Sequence, residues 1–156
     1  MTDNLAAGRR VKAVDFTRAV FNYNQISQGN IADTTYVVGD PETAVRFMAP
    51  TSGRVGVMLS AGLRNNSTAN EDRVFVSFRV LEGDPQDGNL IQTEDAKNGR
   101  SNPAQGADDY QYGGQMTMVD GLTPGVWYFA QVRHRTTLGM SDVDIAYRGI
   151  MVIPVP

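Results

Sequence analysis

Several stretches of the chain alternate apolar and polar or small residues one for one, and no other feature restricts the fold as strongly. In 54–62, Val55, Val57, Leu59 and Ala61 alternate with Arg54, Gly56, Met58 and Ser60. In 73–82, Val74, Val76, Phe78 and Val80 alternate with Arg73, Phe75, Ser77 and Arg79. In 126–135, Val126, Tyr128, Ala130, Val132 and His134 fall on one face, and Trp127, Phe129, Gln131, Arg133 and Arg135 on the other. The stretch 143–155 behaves likewise. Successive side chains of a strand point to opposite sides, so a period of two marks a strand with one buried face. Shorter candidates at 36–38, 44–49, 89–93 and 110–119 bring the expected number to about eight strands. Pro and Gly at 39–42, 49–53, 82–89 and 122–125 supply the preset or positive φ that turns need. Two long polar loops, 63–72 and 94–109, complete the pattern. The expected fold is all-β: a jelly-roll-type antiparallel sandwich over 32–156, preceded by an N-terminal arm over 1–31.

The arm reads differently. Arg9, Arg10 and Lys12 form a small basic cluster. Phe16, Ala19, Val20 and Tyr23 follow at helical spacing after Asp15, which suits a short amphipathic helix. Such a helix is too short to persist alone and must dock. The segment is read either as a strand and loop on its own domain or as an attachment arm that orders on a partner through Arg9, Arg10, Lys12, Phe16, Val20 and Tyr23.

Composition narrows the chemistry. Without cysteine, neither disulfides nor thiolate metal sites form, and one histidine rules out a His-rich zinc site. A net charge of −3 does not suit a general polyanion binder, so no nucleic-acid partner is expected. No run of 18 apolar residues is present, and the first residues lack a basic, then apolar, leader pattern; neither a membrane span nor a signal peptide is expected. His134 has no nucleophile elbow or cysteine to serve, and Arg133 and Arg135 beside it would disfavour its protonation. It is read as a structural or interface histidine. The acidic pairs Glu71–Asp72 and Asp108–Asp109 precede strands and read as solvated loop ends; a glycosidase pair of Asp72 with Asp109 is the remote alternative. Asn65, Asn70, Glu71 and Asp72 offer oxygens for calcium but lack the EF-hand spacing. No catalytic residue, cofactor or metal is assigned, and the chain is expected not to be an enzyme.

Two resemblances add to this. Leu122, Pro124, Gly125 and Tyr128 resemble the L-x-P-G-x-x-Y corner of fibronectin type III modules, although the single tryptophan, Trp127, lies inside the corner rather than early in the domain. Over most of its length the chain resembles small virion proteins of tailed phages that infect actinobacteria, beginning with AAGRRVKAVDF and ending in VIPVP. Phe47, Ala49, Pro50, Ser52, Gly53 and Val55 also resemble the trimeric jelly rolls of the tumour-necrosis-factor and C1q type. These resemblances imply a virion accessory protein, assembled in the host cytoplasm, forming a homotrimer and held by its N-terminal arm to the major capsid protein or another virion protein. The alternative is a minor tail or fibre protein binding a host surface glycan through 63–72 and 94–109. Apolar residues on both sides of a strand are buried twice or lie at an interface. Phe75, Trp127 and Phe129, which share strands with core residues, are therefore expected at a trimer axis or docking surface, or beneath the arm of the same chain.

Overall fold

The computed structural model describes residues 18–67, 71–83, 85, 87–102 and 109–156. All eight expected strands form, and three short ones join them. In chain order they are β1 (Val20–Asn24), β2 (Gln28–Ile31), β3 (Val37–Val38), β4 (Ala44–Met48), β5 (Val55–Asn65), β6 (Val74–Glu82), β7 (Asn89–Gln92), β8 (Arg100–Ser101), β9 (Gln111–Val119), β10 (Trp127–Thr136) and β11 (Val143–Pro154).

Every pairing is antiparallel. In the first sheet β11 pairs with β5 along its length on one side, so β1 and β2 lie end to end along the other; β9 closes the far edge of β5. In the second, β10 and β6 form the centre, with β3 and β4 end to end outside β10, and β7 and β8 outside β6. Counting each end-to-end pair as one strand leaves four positions per sheet. In chain order these run first-eighth-third-sixth in one sheet and second-seventh-fourth-fifth in the other. This is a jelly roll, in which consecutive strands cross repeatedly between two facing sheets.

The alternating residues meet between the sheets. Val55, Val57, Leu59, Leu63, Ile145, Ile150 and Val152 of the first sheet face Phe47, Val74, Val76, Phe78, Val80, Ala130 and Val132 of the second, all buried. Tyr128 packs its ring on Phe47, with centroids 5.7 Å apart. Its hydroxyl accepts the Thr123 amide at 2.9 Å, which locks the 122–125 turn onto the strand it feeds. Gly53, at φ +66, is required where it stands, because a Cβ there would lie 2.4 Å from the Leu122 carbonyl.

Of the two readings of the N-terminal segment, its described residues take the strand and not the helix. Val20 and Tyr23 lie in β1, whose residues pair in register with β11 from Val20 opposite Val152 to Asn24 opposite Arg148. The helical spacing gives way because Val20, Phe21 and Tyr23 suit a strand, and the open edge of β11 supplies the backbone partners that a short isolated helix lacks. Arg9, Arg10, Lys12 and Phe16 lie outside the described residues. From Val20 onward the expected arm forms part of the sandwich.

Arg148 fastens this edge. It is buried, and its guanidinium donates to Gln28 Oε1 at 2.9 Å and to the carbonyls of Ile26 and Asp40 at 3.4 and 3.3 Å. Gly39 leaves the room it occupies, since a Cβ there would collide with Arg148 Nη1.

Candidate functional site

The residues singled out for chemistry are placed apart. His134 lies on the inner side of β10 with its side chain fully buried. Burial, then the neighbouring Arg148 and Arg133, outweigh Asp33 and push its pKa down to about 4. Neither ring nitrogen has a hydrogen-bond partner among the described residues. A neutral ring in this position belongs to the core.

Asp72 is not the solvated loop end expected of it. It is buried, and its carboxylate accepts the amides of Arg73, Thr137, Leu138 and Met140 and the Thr137 hydroxyl at 2.8–3.0 Å. Burial alone would raise its pKa, but these hydrogen bonds outweigh burial and hold it below the usual carboxylate range. The group builds the turn between β10 and β11. Asn65 likewise uses its side chain locally, donating to the Asp72 carbonyl and accepting the Ser67 amide. Glu71 and Asp109 are exposed; Asn70 and Asp108 lie outside the described residues. Among the described residues no three His, Asp or Glu side chains converge on a metal position.

Phe75, Trp127 and Phe129 point outward from the second sheet, as the alternation predicts. Each of the two strands also carries arginine. Arg46 stands over the Trp127 ring at 4.8 Å, and Arg135 stands over Phe75 at 4.7 Å and Tyr36 at 5.3 Å. Trp127 keeps 44% of its surface exposed, while Phe75 and Phe129 are half-buried.

The larger apolar surface lies on the opposite side of the molecule, on the outer face of the first sheet. Register brings Phe21, Met151, Met58 and Met116 into one row across β1, β11, β5 and β9. The next row is Tyr23, Gly149, Ser60 and Gly114, a line of small residues ending in one ring. Beyond it stand Tyr147 and Tyr112, with ring centroids 5.4 Å apart, and Tyr147 lies 6.5 Å from Tyr23. The three rings rim a hollow of about 200 Å³ floored by Ser60, Ala61 and Gly113. Gly56 and Gly62 let Met116 and Tyr112 lie flat, since a Cβ on either would approach those side chains to 2.6 and 2.7 Å. Tyr147 sits at a β-bulge of β11 with φ 52, a left-handed conformation unusual for an aromatic residue.

Exposure on this face is high: 74% for Phe21, 62% for Tyr112, 52% for Met116, 48% for Tyr23, 45% for Met118, 39% for Met58 and 37% for Tyr147. With on the order of 200 Å² available per such side chain, these residues together expose roughly 700 Å² of surface, tyrosine hydroxyls included. That is close to the ~800 Å² that one partner gives to a standard interface. The centre is uncharged. The ion pairs Arg54–Asp120 and Arg64–Asp144 close its two ends. An apolar centre rich in Tyr, Met and Phe inside a charged rim is the anatomy of a protein interface.

No family model matches the chain, and no curated protein matches it. Among solved structures, the infectious bursal disease virus Gx strain aligns with a TM-score of 0.48 at 10% identity, over 88% of this chain and 32% of that one. The C-terminal domain of EclA, a sugar-binding protein, aligns with a TM-score of 0.43 at 15% identity, over 94% and 86%. Dimeric latent PorU from Porphyromonas gingivalis aligns with a TM-score of 0.43 at 9% identity, over 88% of this chain and 12% of that one. This chain thus spans about a third of the bursal disease virus chain and about an eighth of PorU. The likenesses lie in the sandwich and carry nothing about function.

Proposed function

We propose that this chain is a non-enzymatic structural protein of a tailed-phage virion, a capsid decoration or head-fibre protein that assembles as a homotrimer through the outer face of its first sheet. The observation that carries this reading is the uncharged row Phe21, Met151, Met58 and Met116 beside the hollow floored by Ser60, Ala61 and Gly113. The ridge and the hollow are different parts of one surface. A head-to-tail contact that sets one copy's ridge against the next copy's hollow uses both, and it closes as a three-membered ring where each copy is turned a third of a circle from the last. The resemblance of 47–55 to trimeric jelly rolls supports three copies. The sequence resemblance to phage proteins supports the virion, with the basic segment 9–12 as the attachment to the major capsid protein or another virion protein.

The alternative reading, a minor tail protein that binds a host glycan, finds support in the exposed rings of Tyr23, Tyr112 and Tyr147, which would then serve a monomer as a stacking surface. Purified particles separate the two. Density with threefold symmetry on the head, filled by this sandwich, is the expected result. The chain's absence from particles, or its presence only at the tail tip, contradicts the decoration reading.

A further inference from the structure

We propose that the outer face of the second sheet is a docking surface for an acidic polypeptide surface of a different protein. Arg46, Arg79, Arg133 and Arg135 project from this face at strand positions that alternate with the core, and no Asp or Glu projects from those strands beside them. In a chain of net charge −3 this excess of positive charge is local.

The four guanidinia are held but hardly neutralised. Among the described residues, Arg133 alone of the four has a carboxylate partner, Glu94 at 3.1 Å. Two further carboxylates lie nearby and are engaged elsewhere: Glu42 accepts from the Gln131 side-chain amide, and Asp95 accepts the Lys97 backbone amide. Arg46 and Arg135 rest on Trp127, Phe75 and Tyr36, and a ring fixes a guanidinium without cancelling its charge. Arg79 makes no hydrogen bond or ion pair among the described residues, and it neighbours Arg133 closely enough for the two charges to oppose one another. The first sheet differs: there both Arg54 and Arg64 are paired with aspartate.

Preordered arginines interleaved with aromatic rings are the composition of a protein-binding surface, where both residue types supply most of the energy. The surroundings favour a polypeptide over a nucleic acid or a polysaccharide. The face is a broad sheet, with exposed Leu90 and Ile91 on its β7 edge and Met48 at the end of β4. A protein partner buries that apolar surface together with its carboxylates. Because the two outer faces lie on opposite sides of the sandwich, occupation of the first sheet leaves the second open.

Trp127 is the only tryptophan and lies on this face, so its emission reports occupancy directly. We expect a saturable change in the emission of the full chain on titration with an oligoglutamate peptide, weakening as salt is added. The Arg79→Gln/Arg135→Gln variant should keep the parent's thermal melt and bind the peptide at least about tenfold more weakly. The Met58→Glu variant, altered only on the first sheet, should bind it like the parent whatever its oligomeric state. The absence of a saturable change, or equal affinity in the double variant, would overturn the proposal. An equal or stronger response to polygalacturonate or to oligothymidylate would overturn it too, by assigning the face to an anionic polymer rather than to a protein.

Discussion

His134 and Tyr147 show how differently a single residue can relate to its surroundings. The imidazole of His134 is buried, with the charges of Arg148 and Arg133 opposing its protonation, and its pKa falls from the ordinary 6.5 to about 4. The folded protein therefore keeps the ring neutral where the unfolded chain takes up a proton. The stability it contributes is complete above pH 6.5 and is lost as pH falls from there towards 4. The loss amounts to about 3 kcal/mol. Thermal melts at pH 7 and pH 5 should therefore lie closer together for His134→Leu than for the parent. Asp72 acts in a lower window: its depressed pKa gives stability that is present above the ordinary carboxylate range and lost only below it. Tyr147 holds a left-handed conformation that costs about 1–2 kcal/mol for a residue with a Cβ. Tyr147→Gly relieves that cost and removes the ring between Tyr23 and Tyr112. The monomer should stay within about 1 kcal/mol of the parent in urea unfolding, while self-association weakens. If stability and association instead fall together, Tyr147 serves the fold and not the face.

At the level of elements, β5, β6, β10 and β11 were legible because burial on one side imposes a period of two, and β3, β4, β7 and β9 as shorter runs set between turns. β1, β2 and β8 were not. They are edge strands of two to five residues, mostly exposed, and their only strong constraint is the backbone ladder of β11 or β6. The spacing of Val20 and Tyr23 therefore read as helical when the partner that decides the matter lay over a hundred residues away. Arg148 was equally hidden: nothing near it in sequence announces that it will be buried against Gln28, Ile26 and Asp40. Removal of residues 1–17 should leave a cooperative sandwich by circular dichroism. Removal of 1–31 strips two strands from β11 and leaves Arg148 buried without its Gln28 and Ile26 partners, a loss of several kcal/mol that should show as aggregation or a much lower melt. Equal melts for the two truncations would contradict this account of the first sheet.

Across the whole molecule, the sequence drew attention to one concentration of apolar surface and left another hidden. Trp127, Phe129 and Phe75 stand out because they crowd two strands, and the structure gives that face to arginine as well. The Met and Tyr surface stays hidden in sequence because its members come from four strands, interleaved with glycines, and become a surface only once register aligns Phe21, Met151, Met58 and Met116. On this account the sandwich has two outer faces with separate tasks, one uncharged for its own copies and one basic for another protein. Sedimentation equilibrium of the full chain at micromolar concentration tests the first task most directly. The account predicts the mass of three 17.0 kDa chains for the parent and of one for Met58→Glu/Met116→Glu. A parent that sediments as a single chain, or an assembly that survives both substitutions, would contradict it.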